Sequence, residues 1–329
     1  MIDKKDSTVI ISFSRTPIGS FLGSLSTFPA PRLGAFVIKE LLKKSKLDSN
    51  KVDEVIMGNV LQAGIGQAPA RQAAIFGDLS EKVQCLTINK VCGSGLKSIM
   101  LSDMELAKEE SNVIIAGGME NMSQVPHYIK NLRKGKKLGP DTLIDGMVHD
   151  GLWDPYNNLH MGNCAESLNT NWKISRKEQD EFAVESYRRS LKAIDEGKFK
   201  DEIVPINLTG KRDSKQLIEN DEEPFKGRLE KFSTLKPAFS KDGSITAANA
   251  SSINDGAAGV LLMKHSYAQK NNLNPMFKIL SHVSYATHPI DFTIAPIAAI
   301  EKVCKKTDLN IDDIDLFEIN EAFSCVPLA

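Results

Sequence analysis

The chain has 329 residues, of which 41% are hydrophobic and 25% charged, and its formal net charge is −1. This length suffices for one large or two ordinary domains, and the near-neutral charge argues against a broad nucleic-acid-binding surface. Five cysteines without paired spacing do not form a disulfide framework, which indicates a reducing compartment. No apolar run reaches membrane-spanning length and no signal-peptide pattern opens the chain, so we expect a cytoplasmic protein without membrane contact.

Strands and helices alternate over the first 120 residues. The hydrophobic pattern predicts strands at residues 8–13, 52–57, 85–88 and 113–116, and helices at 33–46, 68–76 and 96–107. This alternation predicts an α/β protein with a mainly parallel sheet and helices on its faces.

A glycine-rich turn, Asn89-Lys90-Val91-Cys92-Gly93-Ser94-Gly95, joins the predicted strand at 85–88 to the helix that follows it. The glycines permit a sharp turn, and the free N–H groups of a helix start favour negative charge. Cys92 is therefore a candidate nucleophile whose pKa we expect to be lowered. A small structural cysteine in a tight turn is the alternative.

The pattern loosens between residues 120 and 242. A capping box, Ser175 with Glu178, predicts a helix that runs to residue 197, and the basic run at 130–137 is most simply a solvated loop. We interpret this region as an insertion. Beyond it, strands are predicted at 257–263 and 277–284, and helices at 265–270 and 295–305.

An internal duplication is indicated by residues 309–317, which echo residues 47–57 in following a helix, carrying an aliphatic–Asp–acidic–aliphatic core and leading towards a strand. The first copy continues through the Cys92 turn, whereas the second stops almost at once, at Ala329. We therefore expect the second half of the fold to be incomplete.

Three further clusters carry polar residues in informative positions. His160 opens the first, at residues 160–166, where a structural histidine is the alternative. The second, at 243–258, has small residues that allow a ligand to lie against the backbone, or that simply form a close-packed turn. In the third, at 318–324, Asn320 follows a predicted strand, where an amide can hold a water or a carbonyl oxygen or can cap a helix.

Taken together, these motifs resemble those of the thiolases, specifically the acetyl-CoA C-acetyltransferases. They include Arg15-Thr16-Pro17-Ile18-Gly19, the Cys92 turn, Gly117-Gly118-Met119-Glu120, His160-Met161-Gly162, Asn249-Ala250-Ser251 and Asn320-Glu321-Ala322-Phe323. The resemblance implies a layered αβαβα fold with duplicated halves and an inserted loop domain. We accordingly assign residues 1–120 to the N-terminal half, 121–250 to the loop domain and 251–329 to an incomplete C-terminal half.

The resemblance also implies a reaction: reversible condensation of two acetyl-CoA molecules to acetoacetyl-CoA and CoA. Cys92 matches the residue that carries the acetyl group, Asn320 matches one that fixes a water in an oxyanion hole, and His160 matches an active-site histidine near the thioester. No obligatory cofactor is expected. The protein is expected to act in lipid metabolism and to self-associate as a dimer or tetramer.

Coenzyme A and a potassium ion are further implied ligands. The residues that match CoA contacts are Tyr187, Lys226, Gly227, Arg228, Lys231 and Ser251. Those that match the potassium site of some thiolases are Tyr187, Ala247, Ala248 and Ala250.

Two motifs expected of a complete thiolase do not occur in this sequence: a Gly-His-Pro motif and a Cys-x-Gly-Gly-Gly motif after Asn320. The family assigns the general base to that histidine, so we expect residues 1–329 by themselves to have impaired activity or none. The alternatives are a non-catalytic acyl-CoA-binding thiolase-like protein, which fits the shortened chain, and a relative of the β-ketoacyl synthases, which share the fold and the cysteine.

Overall fold

A computed structural model describes residues 6–209 and 215–329. The strands are β1 (Thr8–Arg15), β2 (Gly19–Ser20), β3 (Glu54–Gly58), β4 (Gln84–Ile88), β5 (Val113–Asn121), β6 (His127–Tyr128), β7 (Ile144–Asp145), β8 (Trp153–Asp154), β9 (Leu159–His160), β10 (Ile206–Thr209), β11 (Lys215–Ile218), β12 (Asn254–Lys264) and β13 (Phe277–Lys278). The helices are α1 (Ala30–Ser45), α2 (Pro69–Phe76), α3 (Ser94–Ala107), α4 (Gly146–Gly151), α5 (Met161–Trp172), α6 (Arg176–Asp195), α7 (His265–Lys270), α8 (Ala295–Thr307) and α9 (Cys325–Leu328).

The central sheet has the order β13-β1-β12-β5-β3-β4, with β2 paired to β12. The prediction of a mainly parallel sheet is right only for β4, β3 and β5, which the helices α2 and α3 connect as crossovers. It is wrong for β1, β12 and β5, which are antiparallel neighbours. The pattern of local alternation carried no information about β12, which returns from the insertion and pairs between two strands that are distant in sequence.

Helices cover both faces of this sheet. On one face, α1 and α2 bury apolar side chains such as Leu33, Val37 and Leu41 in the main core. On the other face, α3 packs over a second cluster that includes Ile56, Leu106 and Ile114. Helices cover both faces of the central strands. These strands are therefore continuous apolar runs in the sequence.

The second half repeats the first only in part. A short 3-10 helix, Ser49–Lys51, follows α1 and leads into β3, and the matching 3-10 helix, Ile311–Asp313, follows α8. The residues after it form no strand in the part of the chain that the structure describes, and Leu316 is 84% exposed. The predicted strand at 277–284 is likewise reduced to β13, whose residues Phe277 and Lys278 pair with β1.

The insertion contains α4–α6 and three separate two-stranded ladders, β6–β7, β8–β9 and β10–β11. The predicted capping box is present at the start of α6, where the Ser175 hydroxyl and the Glu178 side chain satisfy each other's backbone N–H groups. Residues 254–264, which the sequence placed with the C-terminal half, supply β12 to the sheet of the N-terminal half. Of the described helices, none combines the length and the apolar character needed to cross a membrane.

A pair of carboxyl groups joins β3 to α3. Burial, the hydrogen bond that the protonated Glu54 carboxyl donates to Glu105, and the charge of Glu105 raise the pKa of Glu54 to about 8. A raised carboxyl pKa stabilises the fold below the unfolded-state value of about 4.5, and this contribution is lost as pH rises towards 8. The Glu54→Gln variant should therefore gain about 1–2 kcal/mol over the native chain at pH 9, after a discount for partial solvent screening.

Denaturant unfolding of the Glu54→Gln variant at pH 9 and at pH 4.5 tests this prediction. At pH 4.5 the two proteins should differ little, because the carboxyl is protonated in the folded state and already half protonated in the unfolded state. The Glu81→Gln variant, which changes an exposed glutamate, is the control. A gain of equal size at both pH values would contradict the raised pKa of Glu54.

Candidate active site

The Cys92 turn lies at the carboxyl end of β4, and α3 begins directly after it. Val91 has a positive φ of 48°, a conformation that β-branched residues rarely adopt. Three hydrogen bonds hold it: Val91 N–H donates to Asn89 Oδ1 at 2.9 Å, Lys90 N–H donates to Ser94 Oγ at 2.8 Å, and Ser94 Oγ–H donates to the Val91 carbonyl at 2.6 Å. This strained turn leaves Cys92 exposed to solvent.

Glycines let the start of α3 lie against the strand ends. A Cβ atom at Gly58 would come within 2.6 Å of Ser94 Cβ, and one at Gly118 would come within 3.3 Å of Gly95 Cα. The Ser98 hydroxyl crosses the same contact and donates to the Gly117 carbonyl at 2.8 Å. The position of Cys92 thus depends on bare backbone at the end of β3 and within β5.

We expect Gly58→Ala to lower the free energy of unfolding by about 1–3 kcal/mol, because the new methyl group overlaps Ser94 and must displace α3 or β3. Gly95→Ala is the matched control: its Cβ would meet nothing closer than 3.6 Å, and alanine favours the helix by up to about 1 kcal/mol. Urea unfolding followed by circular dichroism compares the two. Equal losses would show that the contact at Gly58 has no special role.

The pKa of Cys92 differs from the sequence prediction. Burial of the sulfur raises the pKa of the thiol, and the hydrogen bond from its own backbone N–H only partly opposes this. Cys92 as a residue is exposed at the surface, yet atoms packed around its sulfur disfavour the thiolate. The predicted lowering by the helix start is therefore wrong for this state of the protein, and Cys92 needs a base to become a good nucleophile.

Alkylation of Cys92 by iodoacetamide should accordingly keep accelerating above the pH at which an ordinary cysteine levels off, about 8.5. Mass spectrometry of the labelled peptide, from pH 6 to 10.5, gives the rate at each pH. The free amino acid cysteine serves as the reference. A plateau at or below neutral pH would contradict the raised pKa.

His160 caps the start of α5. Its Nδ1 atom accepts a hydrogen bond from Gly162 N–H at 3.0 Å, and its ring stacks on Phe239 with 4.8 Å between centroids. Burial lowers the pKa of the imidazole. Since Nδ1 is an acceptor, the neutral ring carries its proton on Nε2, which leaves that N–H as the donor available to a ligand.

Asn320 lies beside the loop at residues 249–251. Two backbone hydrogen bonds join them: Ser251 N–H donates to the Ala322 carbonyl at 3.0 Å, and Ser324 N–H donates to the Asn249 carbonyl at 2.8 Å. The two segments enclose part of a cavity of about 280 Å³, whose lining includes Asn320, Ser251, Tyr187, Ala248 and Ala250. Cys92 and His160 are not among the lining residues.

Two of the predicted CoA contacts, Tyr187 and Ser251, line this cavity. Gly227 packs against the Tyr187 ring so closely that a Cβ atom would come within 2.5 Å of it. Lys226 follows the short 3-10 helix Glu223–Phe225, and its Nζ lies 3.6 Å from the Glu223 carboxylate. Arg228 caps the next 3-10 helix, Leu229–Thr234, which contains Lys231. The sequence prediction thus names residues that share one region of the surface.

Comparison with known proteins identifies this arrangement. The sequence matches the thiolase N-terminal domain over residues 8–266 and the thiolase C-terminal domain over residues 273–329. The chain belongs to the thiolase family. It is an enzyme of the acyltransferase class, and its fold is the thiolase fold that the motifs predicted.

Similar proteins cover nearly the whole thiolase chain. It is 47% identical over 328 residues to an acetyl-CoA acetyltransferase of Yarrowia lipolytica, covering 100% of this chain and 82% of that protein. It is 46% identical over 324 residues to a probable acetyl-CoA acetyltransferase of Dictyostelium discoideum, covering 98% and 78%. The crystal structure of Acat5 thiolase from Ascaris suum in complex with coenzyme A matches with a TM-score of 0.93 at 40% identity, covering 98% of this chain and 82% of that one.

Two residues of this thiolase that support the site were not predicted. Glu166, on α5, accepts hydrogen bonds from the backbone N–H groups of Ser244 and Ile245, which fixes the start of the loop that carries Ser251. Phe239 stacks on His160 and meets Phe323 edge-on at 6.2 Å. An isolated acidic residue and an isolated aromatic residue carry no signal of such roles in the sequence.

Proposed function

We propose that this thiolase is an acetyl-CoA C-acetyltransferase that interconverts two acetyl-CoA molecules with acetoacetyl-CoA and CoA through an acetyl group on Cys92. The observation that carries the proposal is the strained, hydrogen-bonded turn that presents Cys92 at the start of α3. Relatives named acetyl-CoA acetyltransferase support the substrate class.

In the thiolysis direction, the Cys92 sulfur attacks the keto carbon of acetoacetyl-CoA. The carbon–carbon bond breaks, its electron pair leaves as the enolate of acetyl-CoA, and that enolate takes up a proton. The acetyl group remains on Cys92 as a thioester until the sulfur of a second CoA attacks it and restores the Cys92 thiol. The raised pKa of Cys92 means that a base must accept its proton in the first step.

Negative charge on the thioester oxygens requires hydrogen-bond donors. The neutral His160 ring offers its Nε2–H, because Nδ1 is occupied by Gly162. The Asn320 amide, which is exposed at the cavity, would hold a water for the same purpose. The Cys92 backbone N–H, at the start of α3, supplies a further donor.

Coenzyme A would lie along the cavity. Ser251 and Tyr187 line it and would contact the pantetheine arm, while Lys226, Gly227, Arg228 and Lys231 would contact the nucleotide. Basic side chains suit the phosphates of CoA. A bound CoA reported for the Acat5 thiolase supports this use of the fold.

A potassium ion is proposed beside Tyr187, at the carbonyls of Ala247, Ala248 and Ala250. Two of these alanines line the cavity, and hard carbonyl oxygens are ligands of the kind such an ion takes. Within the described residues no cluster of three or more His, Cys, Asp or Glu side chains suits a metal ion, so a site here would rest on backbone oxygens. Self-association and a cytoplasmic location also stay predictions.

Selective labelling of Cys92 tests the proposal. Iodoacetamide should modify Cys92 before the other four cysteines, and acetyl-CoA or CoA should slow that reaction. Incubation with radiolabelled acetyl-CoA should transfer acetyl groups to Cys92, which the Cys92→Ser variant prevents. Protection by CoA without any acetyl transfer, at pH 7 and at pH 10, would favour the second candidate, a non-catalytic acyl-CoA-binding protein.

A further inference from the structure

Helix α6 lies between the two parts of the proposed CoA site. One part is the loop at residues 244–251, which would contact the pantetheine arm, and the other is the 3-10 helix Leu229–Thr234, in the segment that would contact the nucleotide. A small apolar cluster joins all three elements: Ala183 from α6, Ala248 from the loop and Phe232 from the 3-10 helix. Helix α6 therefore supports both parts of the site.

A buried carboxylate on α6 is bound to both parts. Asp180 is only 7% exposed. Its Oδ1 accepts a hydrogen bond from Asn249 Nδ2 at 2.9 Å, and its Oδ2 accepts one from Arg176 Nε at 2.7 Å. The guanidinium continues to the 3-10 helix, because Arg176 Nη2 donates to the Phe232 and Leu235 carbonyls at 2.9 and 3.0 Å. Each oxygen of this one side chain thus holds one part of the site.

Asn249 extends the contact from α6 into the active-site loops. Its Oδ1 accepts a hydrogen bond from Thr246 N–H at 2.8 Å, and its Nδ2 also donates to the Ser244 carbonyl at 3.1 Å. The backbone carbonyl of Asn249 accepts from Ser324 N–H at 2.8 Å, in the segment that carries Asn320. Asn249 is 2% exposed, so these hydrogen bonds lie away from water. The carboxylate on α6 is therefore linked to the loop and, through it, to the Asn320 segment.

We propose that Asp180 is a positioning residue that keeps the pantetheine side and the nucleotide side of the CoA site at the separation that one CoA molecule spans. A ligand that binds two subsites gains affinity only when both are within its reach at the same time. A fixed separation also avoids the cost of ordering the two segments on binding. This role rests on the proposed CoA site. Asp180 is not among the residues that line the cavity, so it acts through Asn249 and Arg176.

Asp180→Asn disrupts the link with almost no change in size. An asparagine has one acceptor oxygen and one NH2 group, so in either orientation its NH2 group faces a donor, either Asn249 or Arg176. Arg176→Gln is the second variant, and it releases the 3-10 helix from a side chain that is 26% exposed. Glu181→Gln is the matched control, because Lys177 and Glu181 form the same i,i+4 pair one position along α6, with side chains 82% and 66% exposed.

CoA and two of its parts, adenosine 3′,5′-bisphosphate and pantetheine, are the probes. Isothermal titration calorimetry gives the Kd of CoA, and competition against CoA gives the Kd of each weaker fragment. Circular dichroism establishes that each variant is folded at the assay temperature. Loss of one subsite weakens CoA and the matching fragment together, whereas loss of the correct separation weakens CoA alone.

We expect Asp180→Asn to raise the Kd of CoA about tenfold, while the Kd of each fragment stays within about threefold of its native value. Arg176→Gln should raise the Kd of CoA by about three- to tenfold with the same sparing of the fragments, and it decides the matter if Asp180→Asn does not fold. Glu181→Gln should bind CoA as the native chain does.

Two results would overturn this role of Asp180 and leave the proposed function intact. One is CoA binding by the folded Asp180→Asn and Arg176→Gln variants that is as tight as in the native chain. The other is an equal loss of affinity for CoA and for the fragments. A folded native chain that binds neither CoA nor adenosine 3′,5′-bisphosphate would instead overturn the proposed CoA site, and the role of Asp180 with it.

Discussion

Thiolysis of acetoacetyl-CoA by residues 1–329 alone is expected to run about 100- to 10,000-fold slower than thiolysis assisted by a general base. The raised pKa of Cys92 gives the reason, because the thiol does not ionise unaided at neutral pH. The sequence of these residues contains neither a Gly-His-Pro nor a Cys-x-Gly-Gly-Gly motif, to which the resemblance assigns the proton transfers of the reaction. The loss of acetoacetyl-CoA absorbance in the presence of CoA measures the rate.

A chimaera, in which residues 1–329 are unchanged and a C-terminal segment is added, tests whether the slow rate comes from the missing motifs or from misfolding of residues 1–329. The Yarrowia lipolytica relative is 47% identical to this thiolase, and the match covers 82% of its length, which leaves 18% unmatched. A C-terminal segment that carries the Gly-His-Pro and Cys-x-Gly-Gly-Gly motifs, joined after Ala329, should raise the rate by the same factor of about 100 to 10,000. Cys92→Ser in the chimaera is the control and should remove the gain. A chain of residues 1–329 that works as fast as the chimaera would refute the prediction.

The Cys92 turn could be predicted because its signals are local. Apolar runs on both sides, two glycines and a helix start all lie within 25 residues, and each contributes to the same geometry. The strain at Val91 could not be predicted, because a β-branched residue is an unfavourable choice for positive φ. It is maintained by side chains of Asn89 and Ser94 that the sequence alone would assign to ordinary turn formation.

The antiparallel pairing of β1, β12 and β5 could not be predicted from local sequence patterns. Gly117 and Gly118 were expected to end a strand, yet β5 continues through them to Asn121. The reason is tertiary: a Cβ atom at Gly117 would come within 2.1 Å of the Ala258 carbonyl oxygen in β12. The glycines allow two neighbouring strands to approach, and nothing in residues 113–121 identifies the neighbour.

The prediction of a lowered Cys92 pKa was wrong for a related reason. A helix start favours a thiolate, and the sequence showed that feature correctly. Desolvation depends on every atom packed around the sulfur, including residues remote in the chain, and here it is the larger effect. The sequence thus indicates a candidate nucleophile at Cys92 more readily than it indicates the protonation state of the thiol.

Replacement of Arg15 by alanine should lower the free energy of unfolding by about 3–5 kcal/mol, because it leaves the buried Asp221 carboxylate and the half-buried Glu202 carboxylate without the guanidinium. Arg15 Nε donates to Glu202 at 2.6 Å, and its two terminal nitrogens donate to Asp221 at 2.6 and 3.0 Å. Burial alone would lower the pKa of the guanidinium, but the hydrogen bonds and charges of Asp221 and Glu202 outweigh it and raise that pKa. Arg15→Lys keeps the charge and loses the two-pronged geometry, so we expect a smaller loss.

The hydrogen bonds of Arg15 to Glu202 and Asp221, here called the Arg15 clamp, also affect the predicted CoA contacts. Asp221 further accepts a hydrogen bond from Ile18 N–H at 2.7 Å, and the chain then continues into the segment that holds Lys226 and Arg228. Arg15→Ala should therefore weaken the protection of Cys92 by CoA as well as the fold. Arg189→Ala is the matched control, since Arg189 pairs with Glu185 at 2.8 Å on an exposed helix face and should cost about 0.5 kcal/mol or less. If both arginine variants unfold at the same denaturant concentration, the clamp does not anchor the loop domain to β1.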